Sequence, residues 1–145
     1  MADMERTPLD VVTDIYDAFA RHDLQAVLDL VDEAIVVTQD PALPWGGRFV
    51  GHDGFGDFAL KLLANIDSAV TVESMFQAGD TVVQCGRTAG TTRSTGTEFD
   101  IPECHIWTVR EGRAVEAQFF IQSDAMLRAL NLPATGDPGT AAPTS

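Results

Sequence analysis

Basic residues are scarce in this chain. Nine lysines and arginines face twenty-two aspartates and glutamates, giving a formal net charge of −13. Phosphate backbones are neutralised by basic patches, so nucleic-acid binding is not expected. The acidic excess reads as a solubility device. Cysteine is almost absent as well. Cys85 and Cys104 lie outside any C-x-x-C pair, which argues against a zinc site or a disulfide framework. Both fall in strand-like runs, where a free thiol behaves as a small apolar side chain. Long apolar runs are missing, and none approaches the ~20 residues of a membrane-spanning helix. The opening MADMERTPLD is acidic and carries no apolar stretch, so no secretory signal is read there and a cytoplasmic location is expected. A phosphate loop, a G-x-S-x-G elbow and a cysteine–histidine nucleophile pattern are all lacking. The three histidines share no ligand spacing, so no metal is expected.

What is present suits a single domain. Apolar residues make up 45% of 145 residues, enough for a core. Thr7, Pro8 and Asp10 open a helix with an approximate capping box, and Leu9, Val12, Tyr16 and Phe19 follow helical spacing. Asp23 caps a second short helix, and AIVVT is a strand of mostly β-branched residues. QDPALPWGGRFVG reads as a loop. Asp53 is the expected cap of a third helix, whose Phe55, Phe58, Ala59, Leu62, Leu63 and Ile66 form an apolar face.

From Ser68 onward the period changes, and four strands are expected near 69–77, 80–90, 97–109 and 113–122. Ser123 then caps a last short helix. Residues 1–7 are expected to be a flexible N-terminus, 8–131 the single domain, and 132–145, LPATGDPGTAAPTS, a disordered tail. Helices grouped before an antiparallel meander imply an α+β fold, a curved sheet wrapped around three N-terminal helices to enclose a cone-shaped cavity.

IYDAFARHDLQAVLDLVDEAIVV, WGGRFVGHDGFGDF and HIWTVREGRAVEAQFF resemble the SnoaL-like family. That family sits in the superfamily of nuclear transport factor 2, ketosteroid isomerase and scytalone dehydratase. Tyr16 and Asp23 match an aromatic in helix one and an aspartate opening helix two. Gly47 and Gly51 match a loop before helix three, and Gly112 matches the turn of the last hairpin. The resemblance spans about residues 8–131. It implies a mixed or antiparallel cone of the nuclear transport factor 2-like, cystatin-like type, a ligand pocket, and a homodimer through the outer sheet face. It further implies cofactor-free isomerase, cyclase, dehydratase or epoxide-opening chemistry on a small apolar oxygenated molecule of polyketide or terpenoid kind. A non-catalytic ligand-binding or dimerisation module of the same fold is the alternative.

Aligned through Asp23, the isomerase's tyrosine position falls on Ile15 with Tyr16 next to it. Its base position falls on Gln39, with Asp40 next to it, and its protonated acid falls on His105. Steroid isomerisation is therefore not expected. Ile101, Glu103, His105, Trp107 and Val109 share one strand face. His105 is either the general acid or base, or a packed core histidine. Asp40 is either a desolvated base or a turn aspartate. Glu103 either orients the imidazole or sits at the rim, which the neighbouring Pro102 favours. Trp45 is either a lid over ligand or a plug against the core. Phe58, Leu62, Trp107, Ala117 and Phe119 join Tyr16, Gln39 and Trp45 as expected pocket residues.

Overall fold

A computed structural model describes residues 6–133. The expectations for the first five residues and for 134–145 lie outside them. α1 runs over Pro8–Ala20. The Thr7 hydroxyl accepts from the Asp10 amide, and the Asp10 carboxylate accepts from the Thr7 amide, so the capping box is complete. Val11, Val12, Ile15, Tyr16 and Ala18 form its buried face. Phe19, expected in that stripe, is one third exposed, at 36%. Asp23 caps α2 (Leu24–Leu30) by accepting from the Ala26 amide at 3.1 Å.

β1 covers Val31–Gln39. The loop that follows hides a short strand, β2 (Gly47–Val50), which pairs antiparallel with β1. β2 leads directly into α3 (Gly51–Asn65). The helix thus starts two residues before the expected cap. Val50 takes the capping position without a side-chain bond, and Asp53 lies in the first turn. β3 (Ile66–Ala78), β4 (Thr81–Thr92), β5 (Glu98–Arg110) and β6 (Arg113–Ile121) build the meander. α4 covers Ser123–Ala129. Ser123 is its first residue, and Gln122 takes the cap position without a side-chain bond.

The sheet order is β2-β1-β6-β5-β4-β3. β1 and β6 are parallel and every other pair is antiparallel, so the sheet is mixed and curved around the helices. Gly86 on β4 sits opposite Val72, beside a register shift in β3. A Cβ at Gly86 would fall 2.0 Å from the Thr71 carbonyl oxygen and 2.6 Å from Gln84 Oε1. The backbones come this close only because glycine is there.

The inner sheet face and α1 bury one core in which Ile15, Ile35, Val82 and Trp107 are inaccessible. The outer face is partly apolar: Phe76 and Phe120 are each about half exposed. Cys85 and Cys104, distant in sequence, are direct cross-strand partners. They are free thiols with Sγ atoms 3.9 Å apart. Burial, and after it the facing Cys85 thiol, push the Cys104 thiol above its ordinary range. Among the described residues no helix is long and apolar enough to cross a membrane. Gly86→Ala should destabilise the fold by about 1–3 kcal/mol through overpacking, read as a lowered urea midpoint. An unchanged midpoint would contradict the close approach.

Candidate functional site

The inner face of β5 carries an acid, an imidazole and an indole in alternate positions. Glu103, His105 and Trp107 point inward because residues two apart share a strand face. Glu103 is not at the rim: its carboxylate is 0% exposed, against 13% for the His105 side chain. Pro102 does not end the strand. It pairs only with Arg87 on β4, because β6 begins its pairing one residue later, at Glu103.

His105 Nε2 lies 2.7 Å from Glu103 Oε1, and Nδ1 lies 2.6 Å from the Tyr16 hydroxyl. That hydroxyl already accepts from Trp107 Nε1 at 3.0 Å and from Gln84 Nε2 at 3.2 Å. Its own proton must therefore go to Nδ1. An imidazole that accepts at Nδ1 carries its proton on Nε2, which donates to Glu103. Donors thus run in one direction, from Tyr16 through His105 to the carboxylate.

Gln84 closes the network from β4, where it stands directly opposite His105. Its amide nitrogen donates to Glu103 at 2.9 Å. Its Oε1, turned over Gly86, is buried without a partner. Turning the amide around would set that oxygen against the carboxylate, so the ionised acid fixes its orientation. Sequence reasoning passed over Gln84, although a signal existed: Val82, Gln84, Gly86 and Thr88 alternate on one inward face, and a glutamine there is as anomalous as His105.

Burial is the main force on Tyr16 and pushes its phenol far above the ordinary value of 10.0. The hydrogen bonds from Trp107 and Gln84 offset part of that, and the Glu103 charge adds to it. The hydroxyl therefore stays a neutral donor.

Above this network opens a cavity of about 540 Å³. Tyr16, His105, Phe119 and Gln39 form part of its floor, and Trp45, Phe55, Phe58 and Leu62 part of its walls. Phe119 packs on His105 with ring centroids 4.5 Å apart and on Phe58 at 5.4 Å. Asp17, His22 and Asp23, all exposed, line the mouth where α1 hands over to α2. Thr88 adds a nearly buried hydroxyl.

Trp45 plugs its own loop and also forms wall. It is buried and donates its indole N–H to Gln39 Oε1 at 3.1 Å. The interior therefore stays hollow despite two buried tryptophans.

Three expected site residues lie elsewhere. Asp40 is exposed, and its carboxylate accepts from the Ala42 amide at 2.9 Å, so it shapes the turn and does not enter the cone. Successive strand residues point to opposite sides, and Gln39 holds the inward one. Trp107 is fully buried beneath the wall, with its N–H committed to Tyr16. Ala117 is likewise sealed in the core, facing Trp107 across β5 and β6. Among the described residues no three potential metal ligands gather.

The chain is thus an α+β cone whose open cavity ends in a buried acid–imidazole–phenol chain. The SnoaL-like domain family matches residues 12–117, and the chain belongs to that family. A nuclear transport factor 2-like protein from Burkholderia thailandensis is 30% identical, with a TM-score of 0.82 over 87% of this chain and 98% of that one. TerC, crystallised with polyporic acid, is 20% identical, with a TM-score of 0.80 over 86% and 98%. A protein with a ketosteroid isomerase-like fold from Catenulispora acidiphila, in complex with trimethylamine, is 21% identical, with a TM-score of 0.71 over 88% and 96%. The last two share the fold alone. No curated protein matches the sequence.

The chain has one tyrosine, which makes its state readable. The unfolded chain ionises this phenol near pH 10, whereas the folded protein keeps it neutral well beyond that. The stability it contributes is therefore intact below about pH 10 and declines as pH rises further. Phenolate absorbance should be absent from the native protein at about pH 11 and appear on unfolding. A native phenolate titrating near pH 10 would contradict the buried hydroxyl.

Proposed function

We propose that the cone binds a small, largely apolar, oxygenated molecule and moves a proton on it, with His105 as the acid–base group and no cofactor. One observation carries this reading: an inaccessible carboxylate, Glu103, backs a cavity-lining imidazole whose other nitrogen meets the Tyr16 hydroxyl. A sheet that needed only a core would place apolar groups there at lower cost. The two relatives solved with polyporic acid and trimethylamine support a small organic ligand on this fold.

A ligand carbonyl that takes the Tyr16 O–H releases Nδ1. The phenol then polarises the carbonyl while Nδ1 removes an adjacent C–H proton. The C–H electron pair moves into the enolate, whose oxygen Tyr16 holds. Glu103 stabilises the imidazolium. Returning the imidazolium proton to another carbon isomerises the ligand; giving it to a β-hydroxyl expels water and dehydrates the ligand; giving it to the oxygen of a second carbonyl that the enolate carbon attacks cyclises it.

A second reading is favoured by one specific feature. Every hydroxyl and nitrogen from Tyr16 to Glu103 already has a partner inside the protein, as a purely binding pocket would have. Deuterium exchange at the α-carbon of 2-tetralone separates the two. The first reading expects exchange about 10²-fold or more above buffer, lost in His105→Ala and Tyr16→Phe while both variants stay folded. Saturable binding without exchange would sink it in favour of the second.

The outer sheet face, with Phe76, Val83, Ile106 and Phe120, is proposed to pair with a second copy of the chain. Sedimentation should find a dimer at micromolar concentration that Phe120→Asp dissociates. A wild-type monomer would remove the proposal.

A further inference from the structure

Gln39 is nine-tenths buried, at 8% exposed, and stands on the cavity floor. Its orientation is not ambiguous. An indole N–H can only donate, so the oxygen of the amide must face Trp45, and the nitrogen must face away from it. That nitrogen has no acceptor among the described residues. The loop holding Trp45 is itself tightly built: Gly46 lies so close to the Asp40 carbonyl that a Cβ there would sit 1.8 Å from its oxygen. The tryptophan thus holds the amide by its oxygen, and the two amide protons of this cavity-lining glutamine have no partner among the described residues.

The sheet register fixes where these donors lie. Phe119 pairs with Gln39 on one side and with His105 on the other. Gln39 and His105 therefore flank Phe119 on neighbouring strands, with backbones about 10 Å apart at two strand spacings. The phenyl ring between them offers an apolar bed and no hydrogen bond.

We propose that Gln39 is a second polar anchor of the cavity, a donor-only subsite for a carbonyl-type oxygen. The ligand class this defines is an apolar skeleton with two oxygen functions. One meets Tyr16 and His105, and the other is a neutral acceptor held by Gln39 across Phe119. The inference rests on the cavity being a ligand site, but not on its being catalytic. A buried donor left without a partner is unfavourable, so ligands lacking the acceptor are discriminated against. Neither an ammonium nor any other group with only donors to offer satisfies the subsite.

The test is equilibrium dialysis of 9-fluorenone against fluorene, which share a ring skeleton and differ at the carbonyl. The wild-type protein should favour fluorenone by about tenfold. Gln39→Glu keeps an acceptor for Trp45 but removes the donors, and Gln39→Met removes them without adding charge. Both should abolish the preference, read as the ratio of the two affinities within each variant. A preference that survives in both Gln39 variants and disappears in Tyr16→Phe would place the carbonyl at the other end and overturn the proposal, leaving the acid–base reading standing. Equal wild-type affinities would overturn it as well. Failure of both probes to bind at all would overturn the cavity reading together with this subsite.

Discussion

A carboxylate with no exposed atom is the constraint on which this molecule turns. Removing Glu103 from water costs several kcal/mol, even after relaxation. The fold meets that cost with two directed partners, the Nε2 proton of His105 and one amide proton of Gln84. Everything else in the floor follows. His105, donating its Nε2–H to the acid, needs a donor at Nδ1. Tyr16 supplies it, and its oxygen is in turn satisfied by Trp107 and Gln84. Gly86 makes room for the glutamine's carbonyl, at the point where β3 shifts register. An isolated pair would be a poor bargain; the closed set is what makes a buried charge tolerable.

The cavity and the network divide labour across the sheet. The chain of donors lies beneath the floor, and only Tyr16 and His105 show at its surface. The walls are aromatic and aliphatic, so a ligand meets polar groups at few points: the phenol–imidazole pair, the Gln39 amide and the small hydroxyls of β3 and β4. A low-dielectric enclosure of this kind strengthens each of those contacts. The outer face carries the paired thiols and the exposed phenylalanines.

Much of the architecture was legible because it rests on local signals. The Thr7–Asp10 box and the Asp23 cap are short-range chemistry, and the turns at Gly79, Gly96 and Gly112 each place a glycine at positive φ. Strand parity was enough to put Glu103, His105 and Trp107 on one face. Depth along that face was not, since nothing local says that Trp107 lies under the wall while His105 reaches it.

Asp40 and Gln39 show the same limit in reverse: one residue of parity decides which enters the cone, and a Pro-rich loop gives no period from which to read it. β2 escaped notice because four residues flanked by glycine carry no alternation of their own. Pro102 suggested an edge, but the edge exists on only one side of β5. The pairing of Cys85 with Cys104, and of Gln84 with Glu103, depends on the β4–β5 register, which no single strand encodes.

The directed chain from phenol to carboxylate is the central claim, and nitrogen-15 NMR of the His105 ring reads it most directly. In the free protein at neutral pH the account predicts a proton on Nε2 and a bare, hydrogen-bond-accepting Nδ1. A proton found on Nδ1 would reverse the direction of the chain and contradict the account.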